Sequence, residues 1–405
     1  MEKIKMFYLR EKIDFKRHNE DVRKLMADFK ENKAERAPVI VGGSIRNLLS
    51  NPEINNTGFT FRDFFTKTEA QLKCQLEYQY YVRHNILCDN EMGVPENGWQ
   101  LGIDFQNSFE QAWFGCPVTY FGDLDVPDTE EILKENPEAF YDWGDPDPFW
   151  GRGDIMKKGM GFYEGMKQIC DSGYEFHGRS VLPPTSFRLG TDGPFSVALK
   201  LRGTVELMCD MYENPQYYHD LMDYVTRNTI RRMKSHREWM WDHNPEFKGE
   251  RKFKGSFGMA DDSIAMLSRE QYKELVYPYH KMIFDEFHDG SGSFIHLCGD
   301  ATHHFKFLAD SFNVKGFDTG FPVDHGKLRR ELGPDITING GPTIMLVKDG
   351  TPSQIDDAVS KICASGVLEG GRFILIAANN LAPCTPVENI KALYEAGKKY
   401  ARFTY

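Results

Sequence analysis

The chain is 405 residues long, 40% hydrophobic, 27% charged and 13% aromatic, a balance that belongs to globular proteins and excludes the disordered and fibrous classes. Asp and Glu outnumber Lys and Arg by 60 to 49, and the resulting net charge of -11 argues against a general phosphate-backbone binder. No run approaches the roughly 18 to 20 apolar residues of a membrane span, and the first 25 residues are too charged for a secretory signal, so a cytoplasmic location is expected. Eight cysteines without a C-x-x-C pair do not make a disulfide framework; they read as buried thiols with a few available as ligands.

In chain order, residues 1–36 alternate charged and apolar positions at helical spacing and stop at Ala37-Pro38, which predicts an N-terminal helical extension. Short apolar runs then recur at 38–41, 85–88, 186–190, 256–260, 293–298, 314–318, 336–340 and 372–378. Amphipathic stretches at 196–236, 268–288, 301–311, 324–332 and 352–366 lie between them. Strand and helix in alternation imply parallel strands. Eight such units closing on themselves make a (β/α)8 TIM barrel over residues 37–405, with a doubly wound open sheet as the alternative. Residues 91–180, rich in Gly, Pro, Trp and Asp, read as a long insertion after the second strand that shapes the pocket.

The sharpest chemical signal is His296-Leu297-Cys298-Gly299. Residues two apart on a strand point to the same side, so imidazole and thiolate would face one pocket at the strand's C-terminal end. A buried thiol beside a satisfied histidine is the plain alternative. Cys384, just beyond the last apolar strand, would reach the same rim, and three soft ligands with one open position is the pattern of a catalytic zinc. Asp318 ends the sixth strand and is expected to act there as a displaceable ligand. Asp261 and Asp262 end the fourth strand, but adjacent strand residues face opposite ways, so only one of them reaches the pocket, and Asp261 is taken as that one. Asn339, Asn379 and Asn380, at the ends of the seventh and eighth strands, are expected to hydrogen-bond a substrate or cofactor.

These residues carry a family resemblance. The runs HLCGD, GFDTG, ITINGGP and FILIAANNLAPCTPVENIKALYEAGKKY resemble the uroporphyrinogen decarboxylase superfamily over roughly residues 185–405. Within it, His296, Cys298 and the distant Cys384 look like the zinc site of the corrinoid-dependent methyltransferases. The decarboxylases' arginine-rich porphyrin grip is reduced here to Arg46 in GGSIRNLL, which disfavours a decarboxylase. The resemblance therefore implies a zinc methyltransferase. No D-x-H-x-x-G segment is present to ligate cobalt, so the cobalamin would ride on a separate corrinoid protein that docks over the barrel mouth, with Asn379 and Asn380 meeting the corrinoid. The aromatic-rich stretch from Phe59 to Tyr120 suggests walls for a phenyl ring. The expected reaction is thus demethylation of a methoxylated aromatic, with methyl transfer from corrinoid to a thiol such as coenzyme M as the alternative and a homodimer allowed for.

Overall fold

The computed structural model describes residues 9, 11–185, 187, 190–244 and 249–404. Among the described residues ten short strands run in chain order: β1 (Trp99–Gln100), β2 (Val118–Thr119), β3 (Asp128–Thr129), β4 (Glu175–Phe176), β5 (Arg179–Leu182), β6 (Gly255–Ala260), β7 (His288–Leu297), β8 (Val314–Thr319), β9 (Thr337–Gly340) and β10 (Phe373–Leu375). The last five form one parallel sheet in the order β10-β9-β8-β7-β6. Single parallel bridges extend it at both ends, Val39 with Leu375 and Asp192 with Ala260. The backbone N–H of Asp89 donates to the carbonyl of Val39 at 2.7 Å, which sets the 86–89 segment alongside. Seven of the eight apolar runs thus have their place in a (β/α)8 TIM barrel. Three residues of the expected 186–190 strand, at 186, 188 and 189, lie outside the described residues, as do 1–8 and 10 of the N-terminal segment; that segment's helix runs Phe15–Lys30.

The helices that follow the strands bury one face and thereby decide which strand residues face the barrel interior. Phe317 on β8 is fully buried and meets Phe305 of the Thr302–Phe312 helix with ring centroids 4.8 Å apart. Ile295 and Leu297 on β7, Ile338 on β9 and Leu375 on β10 are likewise buried. Each such side chain contributes roughly 1.5–3 kcal/mol by leaving water. Their alternates, His296, Asp318 and Asn339, are turned the other way, toward the barrel axis, and a slip of one residue would reverse all of them at once. Gly397 lets the Val387–Tyr400 helix sit close on Val39 and Leu375, where a Cβ would strike both side chains.

The helix after β7 also holds the segment after β6. His304, fully buried, donates from Nε2 to the carbonyls of Ile264 (2.8 Å) and Leu267 (3.1 Å), and the neighbouring His303 donates to Leu267 at 2.7 Å. Burial lowers His304 to about 4, with the nearby His303 charge acting in the same direction; burial also lowers His325 to about 4. Both are therefore neutral in the folded chain, whereas the unfolded chain protonates them below about 6.5. Their contribution to stability is complete above that pH and drains as the pH falls toward 4, by up to about 1.4 kcal/mol per pH unit for each histidine. Urea unfolding of the metal-stripped protein across this range should show the loss. His304→Gln should flatten the slope, and an unchanged slope in that variant would refute the assignment.

Candidate active site

The parallel register brings the polar residues into one row, with Ala260 beside His296, His296 beside Asp318 and Asp318 beside Asn339. His296 Nδ1 lies 2.7 Å from Asp318 Oδ2 and its Nε2 lies 3.0 Å from Cys298 Sγ. A carboxylate only accepts, so Nδ1 carries a hydrogen toward Asp318 and Nε2 is left facing the thiol. Asp262 completes the group: its Oδ1 accepts from the Cys298 backbone N–H at 2.7 Å and lies 4.0 Å from His296 Nε2. One ligand atom each from Asp262, His296 and Cys298 falls within 4.8 Å of the others. Asn379 adds a hydrogen bond from Nδ2 to Cys298 Sγ at 2.9 Å, which supports negative charge on sulfur.

Two glycines make this crowding feasible. Gly299 takes a φ of +73° to turn the chain out of the barrel after β7. Gly320 lies so close behind Cys298 and Gly299 that any Cβ there would collide with their backbone. The spacing of HLCG and GFDTG is thus explained by packing as well as by chemistry.

Not every expected residue joins the group. Cys384 does not: it is exposed, at a φ of +60°, and its Sγ faces the Ser50 carbonyl at 3.8 Å and borders a different cavity, although its neighbours Ala382 and Pro383 line the cavity at the metal group. The acidic side chain at the end of β6 is Asp262, not the expected Asp261. Asp261 is buried beneath it, accepting from Ser196 Oγ (2.6 Å), the N–H of Ser196 (3.0 Å) and His280 Nε2 (2.8 Å). Its reach toward Gly193 leaves no room for a side chain there. Asp318 stands behind His296 and orients it, the position of a ligand's supporting carboxylate and not of a ligand. Its Oδ1 and the Oδ1 of Asn339 are buried without a hydrogen-bond partner, and Asn339 is set back from the cavity lining. Asn379 and Asn380 both border the cavity, Asn379 already engaged by the sulfur. Sequence reasoning missed Asp262 as a ligand because strand alternation fixes that one of two adjacent residues faces inward without telling which.

The cavity at this group has a volume of about 510 Å³. None of the aromatic residues between Phe59 and Tyr120 lines it. Phe64, Phe65, Trp99, Trp113 and Phe114 are instead fully or almost fully buried in the core, and Tyr78 and Tyr81 line a different cavity, the one beside Cys384. The lining mixes polar side chains with apolar ones such as Leu199, Ile344 and Pro383, and part of it, Gln106, Asn107 and Gln111, comes from the 91–180 region.

Sulfur, imidazole and carboxylate within one small sphere, with a carboxylate behind the imidazole, fit a zinc ion in ligand chemistry and in outer-shell support. Burial opposes a charge on His296, but its hydrogen bonds to Asp318 and Cys298 outweigh that and raise the imidazole to about 10. A metal arriving at Nε2 displaces that proton, so zinc uptake by the stripped protein should release protons and tighten by about tenfold or more per pH unit through neutrality. Chelator competition at several pH values measures this; an affinity independent of pH would rule out His296 as a ligand.

The two adjacent aspartates separate cleanly by variant. Asp261→Ala should cost about 3–5 kcal/mol of stability, since it strips a buried, multiply bonded carboxylate from its partners. Asp262→Ala should cost under about 1 kcal/mol and yet lower zinc affinity, as Cys298→Ala should, by about 10-fold or more. Denaturant titration and metal analysis give the two readings. Zinc retained by Asp262→Ala and lost from Cys384→Ala would return the third ligand to Cys384.

Comparison with known proteins agrees with this frame. Residues 256–400 match the family model of uroporphyrinogen decarboxylase (URO-D). No curated protein matches the sequence. Among solved structures, a methyltransferase from Methanosarcina mazei is similar with a TM-score of 0.56 at 15% identity, over 93% of this chain and 98% of that one. A Listeria monocytogenes protein assigned as a vitamin-B12-independent methionine synthase gives a TM-score of 0.28 at 14% identity, over 48% of this chain and 61% of that one. The fold is shared along nearly the whole chain with the Methanosarcina protein, and residues 256–400, about a third of the chain, are similar to the uroporphyrinogen decarboxylase family.

Proposed function

We propose that this protein is a zinc-dependent methyltransferase that exchanges a methyl group between a small molecule and the cobalamin of a separate corrinoid protein. The observation that carries the reading is the group formed by His296, Cys298 and Asp262 at the barrel mouth, with Asp318 behind the imidazole. The shared fold with a methyltransferase supports it. When bound, zinc would supply Lewis acidity toward a leaving oxygen or would keep a thiol substrate in its nucleophilic form. The chain's own residues do the positioning. Asp318 holds the hydrogen on Nδ1 of His296 and so presents Nε2, and Asn379 steadies the Cys298 sulfur.

The family's named activity is disfavoured by the one arginine retained from the porphyrin grip. Arg46 is bound to Asp125 at 2.6 Å and does not offer a free cation to a substrate carboxylate. The methyl donor proposed first is a methoxylated aromatic. The aromatic residues of the 59–120 stretch do not wall this cavity, whose lining is about equally polar and apolar, so they carry no argument between this reading and the alternative, a corrinoid-to-thiol transfer. One assay decides. Zinc-loaded protein is mixed with cob(I)alamin and 2-methoxyphenol, and separately with methylcobalamin and a small thiol such as coenzyme M. Zinc-dependent formation of methylcobalamin and catechol is the expected result. Thiol methylation without ether turnover would establish the second reading, and neither reaction in zinc-loaded protein would refute methyl transfer.

A further inference from the structure

Gln111 borders the cavity at the metal group, yet its residue is only 3% exposed and its Oε1 is buried without a hydrogen-bond partner. Which amide atom occupies that position is a matter of a flip, but either way one end of a buried carboxamide has nothing to bond. Such a group is unfavourable in the folded chain and asks for a partner.

The fold holds the helix that carries this amide firmly in place. The short Phe109–Trp113 helix that carries it is buried at all five positions. The 147–153 loop clamps it, with the N–H of Arg152 donating to the Trp113 carbonyl at 2.8 Å. Gly151 and Gly153 lie so close to the helix that a Cβ on either would strike the Trp113 or Ala112 carbonyl. The Gly- and Pro-rich run DWGDPDPFWGRGD thus serves to press the Gln111 helix against the barrel. Two further carboxamides, Asn107 and Asn380, border the same cavity from exposed positions. The two long cationic side chains of its lining are already neutralised, Arg46 by Asp125 at 2.6 Å and Lys200 by Asp128 at 2.9 Å.

We infer that Gln111 is a specificity-determining residue that hydrogen-bonds an uncharged polar group, a hydroxyl or an amide, on the small methyl-bearing substrate. Amides that can both donate and accept suit such a group. Paired cations do not suit a carboxylate, and an unsubstituted ring would leave the buried amide unsatisfied. This inference rests on the methyl-transfer reading for the identity of the reaction, but not for the polarity of the ligand.

The test compares the wild type with Gln111→Met, which keeps the volume and removes the amide, by thermal unfolding without ligand, zinc content and calorimetric binding of 2-methoxyphenol and methoxybenzene. The variant should keep its zinc and melt at the same temperature or about 1 °C higher, because it removes an unsatisfied polar group. The wild type should bind 2-methoxyphenol about tenfold more tightly than methoxybenzene, and the variant should bind the two alike. Binding with that preference but without turnover would remove the methyl-ether reading and leave the role of Gln111 intact. A fall of several degrees in melting temperature would show that the amide serves the fold. Equal affinity of the wild type for the two compounds, or no binding of 2-methoxyphenol, would overturn the substrate class.

Discussion

The hydrogen bond between Asp318 and His296 is the constraint on which the site depends. At 2.7 Å it commits Nδ1 to the carboxylate, and only then is Nε2 free to face Cys298 at 3.0 Å. The bond exists because β7 and β8 are parallel and in register at those two residues. The register in turn is set on the other face of the sheet, where Ile295, Leu297 and Phe317 are buried beneath the helices. Apolar packing outside the barrel therefore determines the chemistry inside it. This also explains why the site can carry a raised histidine without local rearrangement: the cost of burying the imidazole is offset by a neighbour that the sheet places regardless of ligand.

Legibility from sequence followed the same division. Seven of the eight apolar runs found their places in the barrel because each buried strand needs a continuous apolar stretch, and the H-x-C spacing accords with the 3.0 Å approach of His296 Nε2 to Cys298 Sγ. The GFDTG run placed Asp318 next to His296, although as its orienting partner and not as a ligand. What the sequence could not convey was direction in loops. Asp261 and Asp262 are adjacent, and only the pull of Ser196, His280 and the 193–196 backbone on the first turns the second outward. Cys384 sits after a turn with positive φ at Asn379 and again at Cys384 itself, and strand periodicity says nothing of where such a turn points a thiol.

The aromatic residues teach a related lesson about composition. A stretch rich in Phe, Tyr and Trp is as expected of a core as of a pocket, and here the core claimed them: Phe64 and Phe65 pack edge to face, as do Trp113 and Phe114. The same region nevertheless shapes the cavity, through the polar residues interspersed among the rings. Gln106, Asn107 and Gln111 reach the cavity because Phe105, Phe109 and Trp113 are anchored behind them.

Support for the metal group comes from three separate parts of the barrel. The Thr302–Phe312 helix, which follows β7, sends His303 and His304 back to the carbonyls of the 262–267 segment, so the strand that presents His296 and Cys298 also governs the position of Asp262. From below, Asp261 ties the same segment to the start of the Pro194–Arg202 helix and to His280. Asn379, from the loop after β10, reaches the sulfur. A ligand group drawn partly from loops, Asp262 after β6 and Cys298 after β7, would ordinarily lose precision to loop motion. Here each loop is bonded to a neighbouring element rather than only to itself, so the geometry at Cys298 is fixed by the barrel as a whole, and the cavity beside it is left free to be specified by the polar residues of the 91–180 region.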